Sequence, residues 1–381
     1  MSAAPPTGED NTPWPHMLLD SVAKRGSGHT PDKKRPAYWN GAVKWLSLKD
    51  SDRLDNRYVT DTAEQITPAG LANSSAIEHP AGTVVLTRDA GVGKSAITQD
   101  VMAVSQHFMA WLCGPRLDNH FLYYWLQYKK PEFERIAIGN TIKTIGLPYF
   151  KALEVPLPSI AEQKAIAKVL GGVDALIEAL NRLVSKKRNL KQATMQQLLT
   201  GKTRLPGFAK SWATRRLGEI LTVRHGQSQA GVEHANGAYP ILATGGEIGR
   251  ATRFLHDKPS VLIGRKGTID RPQYMDIPFW TVDTLFYSVV HEPNDAKFLF
   301  YRLCLIDWFR YNEASGVPSL NARTIEGIEI ESPGAAEQVS IAAVLSDMDA
   351  EIAALERRRD KTRLLKQGMM QELLTGRTRL I

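Results

Sequence analysis

The sequence predicts a mixed α/β protein in which two globular domains alternate with two long helices. Three observations predict this order: a 45-residue segment that occurs twice, an apolar periodicity within each copy, and loop-rich segments with short apolar runs elsewhere. The chain has 381 residues, of which 43% are hydrophobic and 23% charged, so it is long enough for two or more domains with buried cores.

The internal repeat organises the chain. Segment 161–205 begins AEQKAIAKVL and ends LLTGKTRL, and segment 336–380 begins AEQVSIAAVL and ends LLTGRTRL. The two copies align without a gap at an offset of 175 residues, and 27 of the 45 positions are identical. Chance does not produce such agreement, so the copies are two versions of one structural element.

Each copy is predicted to form one long helix. Apolar residues recur in three- and four-residue steps, which is typical of a coiled-coil seam. The expected seam residues are Ile166, Val169, Val173, Leu176, Leu180, Leu183 and Leu190, with Ile341, Val344, Met348, Leu355, Leu365 and Met369 in the second copy. About 38 residues at ~1.5 Å each give a rod of roughly 57 Å, much longer than a typical globular helix. Two matching apolar stripes most simply bury each other.

The predicted helices have imperfect seams and defined ends. Lys187 and Arg358 occupy core-type positions, and Gly171–Gly172 is expected to weaken the first helix locally. Each helix is predicted to stop before a Thr-Gly pair, Thr200–Gly201 or Thr375–Gly376, where glycine can cap the carboxyl end.

The segments outside the repeat are predicted to be the two globular domains. VVLTRDAGVGK (84–94) matches VLIGRKGTIDR (261–271) at an offset of 177, and both segments are rich in Trp, Tyr, Pro and Gly between short apolar runs. The predicted boundaries are 1–158 for the first domain, 159–205 for the first helical segment, 206–333 for the second domain and 334–381 for the second helical segment.

Composition excludes several classes of protein. The two cysteines, Cys113 and Cys304, have no CxxC partner, so neither a disulfide framework nor a zinc site is indicated. No run of eighteen apolar residues exists to span a membrane, and Met1–Asp10 lacks the pattern of a signal peptide and reads as a loose tail. A cytoplasmic protein with two free thiols is therefore expected.

The order of domain, helix, domain and helix resembles the specificity subunits of type I restriction-modification systems. Several stretches carry the resemblance in order along nearly the whole chain: RPAYWNGAVKWLSLKD (35–50), ITPAGLANSSA (66–76), PAGTVVLTRDAGVGKSAI (80–97), LGEI (217–220), YPILATGGEIG (239–249) and VLIGRKG (261–267). The two AEQ helix starts and the two LLTG endings complete the pattern. No single motif is decisive, but their order together with the repeat is specific.

The resemblance implies a fold and a division of labour. It implies two target-recognition domains separated by two long helices that pack as an antiparallel coiled coil, with a pseudo-two-fold internal repeat. Each domain would read one half of a bipartite site in double-stranded DNA. Two modification (methyltransferase) subunits and ATP-dependent restriction subunits would bind this non-catalytic chain. Because the domains differ in sequence far more than the helices do, the expected site is asymmetric, with an unread spacer set by rod length.

Candidate DNA contacts are basic and polar residues in loop-like sequence, because Arg and Lys read guanine and Asn and Gln read adenine. The candidates in the first domain are Lys33, Lys34, Arg35, Tyr38, Trp39, Asn40, Arg88 and Lys94. Those in the second are Arg224, His225, Gln227, Arg265, Lys266 and Arg271. Trp39 could instead belong to the core. Arg88 and Arg265 occupy matching positions in the two domains. This match favours a structural role or a phosphate contact over base readout.

Charge is concentrated in one segment. The net charge is +8, and residues 161–205 alone carry 9 Lys and Arg against 3 Asp and Glu. The domain segments 1–160 and 206–335 are close to neutral, at +1 and zero. Because phosphate neutralisation supplies most non-specific affinity, the isolated chain is expected to bind DNA weakly. The basic helix could be a solvated face, a docking face for acidic partners or a surface near the DNA backbone.

The sequence offers two alternatives to DNA recognition. GVGKS (91–95) suggests a phosphate loop, but the full motif needs a glycine where Arg88 stands, so ATP binding is not expected. A purely structural adaptor would leave the paired domains unexplained. The sequence contains no metal-ligand spacing, nucleophile elbow or Asn-Pro-Pro-Tyr-like motif, so no catalytic residue, metal or cofactor is predicted.

Overall fold

The structure is a computed structural model, and it describes residues 14–381. The predicted tail Met1–Asp10 lies outside the described residues. The chain divides into two compact units: the first comprises Met1–Leu180 with Arg358–Ile381, and the second comprises Asn181–Arg357. Each unit therefore contains one globular domain and part of each repeated segment.

The two long helices are confirmed, and each has 39 residues. The first long helix is Ile160–Leu198 and the second long helix is Ala335–Leu373. The first begins where the Ser159 hydroxyl accepts a 3.2 Å hydrogen bond from the Glu162 amide. Beyond each helix, Gly201 and Gly376 adopt φ values of +67° and +72°, a left-handed conformation that favours glycine. The predicted glycine caps therefore occur at both carboxyl ends.

The domain of the first unit contains three sheets. The strand order of the five-stranded sheet is Ala23–Ser27, Phe108–Cys113, Val84–Thr87, Ser95–Thr98 and Tyr58–Val59. The four-stranded sheet runs Glu64–Ile66, Trp39–Leu46, Met102–Val104 and Glu78–His79, and His16–Leu18 pairs with Glu154–Pro156. The α-helices are Leu19–Val22, Pro68–Ala72, Asn119–Ile136 and Leu147–Lys151, with 3₁₀ turns at Pro36–Tyr38 and Leu48–Arg53.

The domain of the second unit is a smaller version with the same kinds of parts. Its four-stranded sheet runs Leu221–Arg224, Leu285–Val290, Ser260–Gly264 and Gln273–Met275. Its three-stranded sheet runs Gly246–Ala251, Tyr239–Ala243 and Trp280–Thr281, and Ala213–Arg216 pairs with Glu329–Ser332. The α-helices are Leu217–Ile220, Ala296–Leu303 and Ala322–Glu326, with a 3₁₀ turn at Trp308–Tyr311. The mixed α/β class is confirmed.

Each unit has a main core to which both long helices contribute. In the first unit, Ile166 and Leu170 of the first long helix are buried in one cluster with Met370 and Leu373 of the second. Aromatic residues of the domain complete that cluster, among them Trp111, Phe121, Phe133 and Phe150. In the second unit the cluster combines domain residues with Leu198, Leu199, Ile341, Ala342 and Leu345. The helices are therefore part of each domain's core.

The period of the predicted seam is correct, but one of its two columns is wrong. Ile166 and Leu180 are buried as predicted. Five other residues that were assigned to the seam are between 37% and 59% exposed: Val169, Leu176, Leu183, Leu190 and Leu365. The buried column lies one residue further along the chain, and it contains Leu170, Val184, Leu345 and Ile352.

Polar residues in the true column explain this error. The buried column passes through Lys191, whose ammonium lies 2.5 Å from Asp349. Because the buried column contains this lysine, the neighbouring column of leucines is the more apolar one in the sequence. The side chains of that neighbouring column nevertheless face outward. Gly171 also belongs to the packed face: its carbonyl accepts a 3.0 Å hydrogen bond from Arg57, and the helix is continuous there despite the predicted weakening.

In the first unit, a three-residue arrangement joins the domain to the long helices. Tyr124 donates a 2.7 Å hydrogen bond to Asp174, and Lys366 binds the same carboxylate at 2.6 Å. The Lys366 ammonium also lies 5.3 Å from the centre of the Tyr124 ring. Burial raises the pKa of Tyr124, and Asp174 raises it further, so the hydroxyl remains a donor. Tyr124 of the domain therefore contacts one residue on each long helix, Asp174 on the first and Lys366 on the second.

The same arrangement occurs in the second unit. Tyr301 donates a 2.6 Å hydrogen bond to Asp349, and Lys191 binds that carboxylate at 2.5 Å. The Lys191 ammonium lies 5.2 Å from the centre of the Tyr301 ring. Burial and the carboxylate again raise the tyrosine pKa. The helix residues are those that the 175-residue offset makes equivalent, with the roles of the two helices exchanged.

A second repeated contact links the start of one helix to the segment after the other. Arg379 binds Glu162 with hydrogen bonds of 2.7 and 2.8 Å in the first unit. Arg204 binds Glu337 with hydrogen bonds of 2.6 and 2.5 Å in the second. The two glutamates are 1% and 3% exposed, so each is a buried carboxylate neutralised by a bidentate guanidinium.

A repeated geometry also positions a glutamine at the start of each long helix. The Gln163 side chain accepts a 2.8 Å hydrogen bond from the amide of Asp118, which caps the domain's longest helix. Gln338 accepts the equivalent 2.8 Å bond from the amide of Asp295. The AEQ motif of the repeat therefore serves two distinct contacts, one through its glutamate and one through its glutamine.

Candidate nucleic-acid interface

In the second domain, candidate residues follow two strands that end at one edge of a sheet. Strands Leu221–Arg224 and Ser260–Gly264 both pair antiparallel with Leu285–Val290. They therefore run in the same direction, with Arg224 and Leu262 both opposite Tyr287. We name the carboxyl ends of these two strands and the loops beyond them the second edge. Five of the six candidates of this domain lie at a strand end or within three residues after it.

Three exposed candidates lie at the carboxyl end of the first of these strands and in the loop after it. Arg224 and His225 are exposed, and the His225 ring packs edge-on against Phe286 at 4.9 Å. The Gln227 side chain is exposed, while its carbonyl accepts a 3.0 Å hydrogen bond from the Trp280 indole. The backbone is thus held in place, and the polar groups of the side chains are available to a ligand.

The loop after the second strand separates a structural arginine from exposed basic residues. Arg265 donates a 3.0 Å hydrogen bond to the Asp283 carbonyl and lies 3.8 Å from the Asp283 carboxylate. Lys266 and Arg271 are exposed. Arg265 therefore supports the loop, in agreement with the structural alternative raised by its recurrence, whereas Lys266 and Arg271 are directed outward.

The first domain repeats this geometry. Strands Ala23–Ser27 and Val84–Thr87 both pair antiparallel with Phe108–Cys113, so both end at the same edge, which we name the first edge. The segment that follows Ser27 leads to the Lys33–Arg35 turn, and Arg88 follows Thr87 directly. In the first domain the chain therefore leaves one edge of the sheet toward both the Lys33–Arg35 turn and Arg88, although these candidates are more than 50 positions apart in sequence.

The Lys33–Arg35 turn presents its charges outward. Lys33, Lys34 and Arg35 are exposed, and Arg35 donates a 3.0 Å hydrogen bond to the hydroxyl of Tyr38. Tyr38 is buried, so it orients Arg35 and does not face solvent. Asn40 is exposed in a left-handed conformation with φ of +61°. Trp39, which could have been core, is half-buried and packs edge-on against Trp45 at 5.2 Å.

A polar network that the sequence did not reveal crosses the first edge. Thr30 donates a 2.6 Å hydrogen bond to Gln106, whose amide lies 3.4 Å from the His107 ring. The other ring nitrogen of His107 lies 2.9 Å from Asp89, and Arg88 lies 3.7 Å from the same carboxylate. These residues come from three distant segments, so sequence spacing gave no signal that they meet. Arg88 is largely buried and locally neutralised.

The GVGKS segment is a hairpin and not a phosphate loop. It connects strands Val84–Thr87 and Ser95–Thr98, which pair antiparallel, whereas a phosphate loop leads from a strand into a helix. The Lys94 ammonium donates hydrogen bonds of 3.0 and 2.9 Å to the carbonyl and hydroxyl of Ser51. Lys94 is therefore engaged within the domain, and the geometry gives no support to a nucleotide site.

Several basic residues of segment 161–205 form ion pairs within the second unit. Lys187 lies 2.7 Å from Glu351, and Arg188 binds Glu356. Together with Lys191 and Arg204, four of the nine basic residues of segment 161–205 pair with acidic residues of the second repeat. These four charges are partly compensated within the second unit, although the Arg188 side chain remains 64% exposed.

Residues 14–381 contain neither a candidate metal site nor a candidate membrane-spanning helix. No group of three or more His, Cys, Asp and Glu side chains there could hold a metal ion. No helix in the same range is both long enough and apolar enough to cross a membrane. Cys113 and Cys304 are free cysteines.

Solved structures with the same fold come from type I restriction-modification systems. The S subunit from Mycoplasma genitalium matches with a TM-score of 0.64 and 17% identity, covering 96% of this chain and 97% of that one. A chain from a structural study of complex assembly and conformational transition of the type I R-M system matches with a TM-score of 0.59 and 16% identity, covering 96% and 98%. The fold is therefore that of an S subunit.

Sequence comparison shows the family. The family model for the type I restriction modification DNA specificity domain matches residues 11–186 and 209–364, which is most of the chain. The chain belongs to this family of type I restriction-modification specificity subunits. The MjaIX specificity subunit of Methanocaldococcus jannaschii is 26% identical over 229 residues, which is 56% of this chain and 53% of that protein. The MjaVIII specificity subunit of that organism is 23% identical over 309 residues, 69% of this chain and 71% of that protein.

Proposed function

We propose that this chain is the sequence-specific DNA-recognition subunit of a type I restriction-modification complex. Each domain reads one half of an asymmetric bipartite site in double-stranded DNA. Modification and restriction subunits bind the chain and carry out methylation and cleavage, so that the chain itself is non-catalytic. The proposal starts from family membership, and it assigns DNA reading to the two edges, which occupy equivalent places in domains that differ in sequence.

One observation carries this proposal: the same contacts attach two different domains to the long helices. The Tyr124–Asp174 and Tyr301–Asp349 bonds are equivalent, and so are the bonds from the Asp118 and Asp295 amides to Gln163 and Gln338. A scaffold that holds two domains alike while their edges differ suits the reading of two unlike half-sites. A general adaptor would not need this combination.

We further propose that the long helices form an antiparallel coiled coil with pseudo-two-fold symmetry. Ion-pair partners support opposite directions within each unit: in the first, Glu162 pairs with Arg379 and Asp174 with Lys366. In the second, Lys187 pairs with Glu351 and Lys191 with Asp349. Residue numbers fall on one partner as they rise on the other. On this view the recognition domains are 1–158 and 206–333, and the helical spacers are 159–205 and 334–381.

Exposure divides the candidate residues into two proposed roles. The side chains proposed to contact DNA are the exposed ones: Lys33, Lys34, Arg35, Asn40, Arg224, His225, Gln227, Lys266 and Arg271. Tyr38, Arg88, Lys94 and Arg265 are proposed to hold the edges in shape, because each is engaged with a neighbouring residue. Arg and Lys can bind guanine or phosphate, and Asn and Gln can bind adenine.

The decisive experiment maps methylated adenines genome-wide with and without this gene. The proposal predicts an asymmetric two-part motif with a fixed unread spacer, which disappears on deletion and returns when the intact gene is restored. An unchanged set of motifs would contradict DNA recognition by this chain. ATP hydrolysis by the purified chain would instead support the nucleotide-binding alternative, which the hairpin geometry of GVGKS disfavours.

A further inference from the structure

Each domain carries a short loop whose tip exposes an aliphatic side chain. The first is the 138–145 loop, IGNTIKTI, and the second is the 313–320 loop, EASGVPSL. Ile142 in the first loop is 59% exposed, and Val317 in the second is 67% exposed. These two residues are separated by 175 positions, the offset of the internal repeat. Neither loop was among the candidate contacts.

The same backbone hydrogen bonds close the two loops. The Ile138 amide donates to the Thr144 carbonyl at 3.0 Å, and the Glu313 amide donates to the Ser319 carbonyl at 3.1 Å. Each loop therefore has a five-residue tip, 139–143 or 314–318, that is closed at its base. A tip held in this way loses little conformational entropy when it binds a partner.

The loops are also fastened to the edges by equivalent bonds. The Ile145 amide donates to the Arg88 carbonyl at 3.0 Å, and the Leu320 amide donates to the Arg265 carbonyl at 2.9 Å. A third pair of bonds joins Ala90 to Lys143 at 3.2 Å and Gly267 to Pro318 at 2.9 Å. A shared arrangement in two domains that read different sequences indicates a ligand common to both domains.

Charge favours a protein over DNA as that common ligand. The first tip contains Lys143, but the second tip contains no charged residue and is preceded by Glu313. A shared contact that neutralises phosphate would need a positive charge in both loops. What the loops share is an exposed aliphatic side chain, and burying such a side chain against an apolar protein surface is favourable.

We propose that Ile142 and Val317 are the anchor residues of two equivalent docking sites for the modification subunit, one site on each domain. This inference rests on the proposed function, because it takes from that function the modification subunit as partner. Two equivalent loops would bind two copies of one partner in the same way, which gives a complex with one specificity chain and two modification chains.

The test measures subunit stoichiometry after single neutral substitutions. The chain is co-expressed with the modification subunit of the same system, and the complexes are weighed by native mass spectrometry without DNA. Ile142→Ser and Val317→Ser each remove the aliphatic tip and leave the charge unchanged. Matched controls are Ile77→Ser and Ile277→Ser, because these residues are 50% and 52% exposed, one in each domain.

The proposal predicts a different stoichiometry for each set of variants. The wild type and both controls bind two modification subunits. Each single variant binds one, with its second site weakened by roughly tenfold or more, and the double variant binds almost none. The melting temperature of each free variant, measured in parallel, should match that of its control, which shows that the loop substitution has not unfolded the domain.

Three outcomes would overturn the proposal. If both single variants keep two modification subunits, the loops are not docking sites. If they keep two subunits but methylation of the target is lost, the loops contact DNA instead. If the wild type binds no modification subunit although its gene is required for the bipartite methylation motif, the partner is wrong while DNA recognition stands. If the motif is also absent, the proposed function fails with it.

Discussion

Tyr301 donates a 2.6 Å hydrogen bond to Asp349, and Tyr124 donates its equivalent, at 2.7 Å, to Asp174. Because each acceptor is a carboxylate, replacing either tyrosine with phenylalanine should lower the free energy of unfolding by about 1.5–3 kcal/mol. Urea denaturation of Tyr301→Phe and Tyr124→Phe measures this loss. Tyr128→Phe is the control, because no hydrogen bond of its hydroxyl is seen within residues 14–381, and it should have little effect. Equal losses in all three variants would contradict the assigned role.

The buried Glu162 carboxylate makes a second prediction. Arg379→Ala leaves this group, which is 1% exposed, without its guanidinium, and breaking one side of a buried pair costs about 3–5 kcal/mol. The matched control is Arg377→Ala, since Arg377 is largely exposed and lies 3.6 Å from Glu372. Exposed pairs contribute about 0–1 kcal/mol. Chemical denaturation should give clearly different midpoints for the two variants. Similar midpoints would show that the Arg379–Glu162 pair contributes little to stability.

The corrected seam of the first long helix can be tested by paired truncations. Leu170 is fully buried, and Leu170→Ala should cost about 2–5 kcal/mol through lost burial and a cavity. Leu176 is 40% exposed, and Leu176→Ala should cost less than about 1 kcal/mol. The comparison uses the same residue type on the same helix. A larger loss for Leu176→Ala would restore the seam that the sequence predicted.

The Thr-Gly pairs predicted the carboxyl ends of the long helices, and short apolar runs between loop-rich stretches predicted the mixed α/β class. Periodicity was sufficient to predict the two long helices. It was not sufficient to predict which apolar column faces inward, because Lys191 lies in the buried column and its pairing with Asp349 depends on tertiary structure. The candidate residues show the same limit. Local sequence identified the loops that carry Gln227 and Lys33, but the Thr30 to Asp89 network forms only when strands distant in sequence pair.

The division of candidates by exposure predicts separate effects on sequence preference and stability. Arg224→Ala and Gln227→Ala should relax the second half of the methylation motif and leave the first half unchanged, because each good base contact contributes about 1–3 kcal/mol of discrimination. Arg265→Ala should instead lower stability, because Arg265 supports the loop through Asp283. Genome-wide methylation maps of the three variants make the comparison. A change in the first half-sequence would contradict assignment of these residues to the second.

The most direct test of the account lengthens both long helices by one heptad. Seven residues are inserted after Leu180 and seven after Arg357, where the chain passes between its two units. Each helix gains about 10 Å at ~1.5 Å per residue, which corresponds to at most about three base pairs of DNA. If paired rods hold two unlike reading edges apart, the methylation motif keeps both half-sequences and gains a longer spacer. Altered half-sequences, or an unchanged spacer in an active complex, would contradict the account.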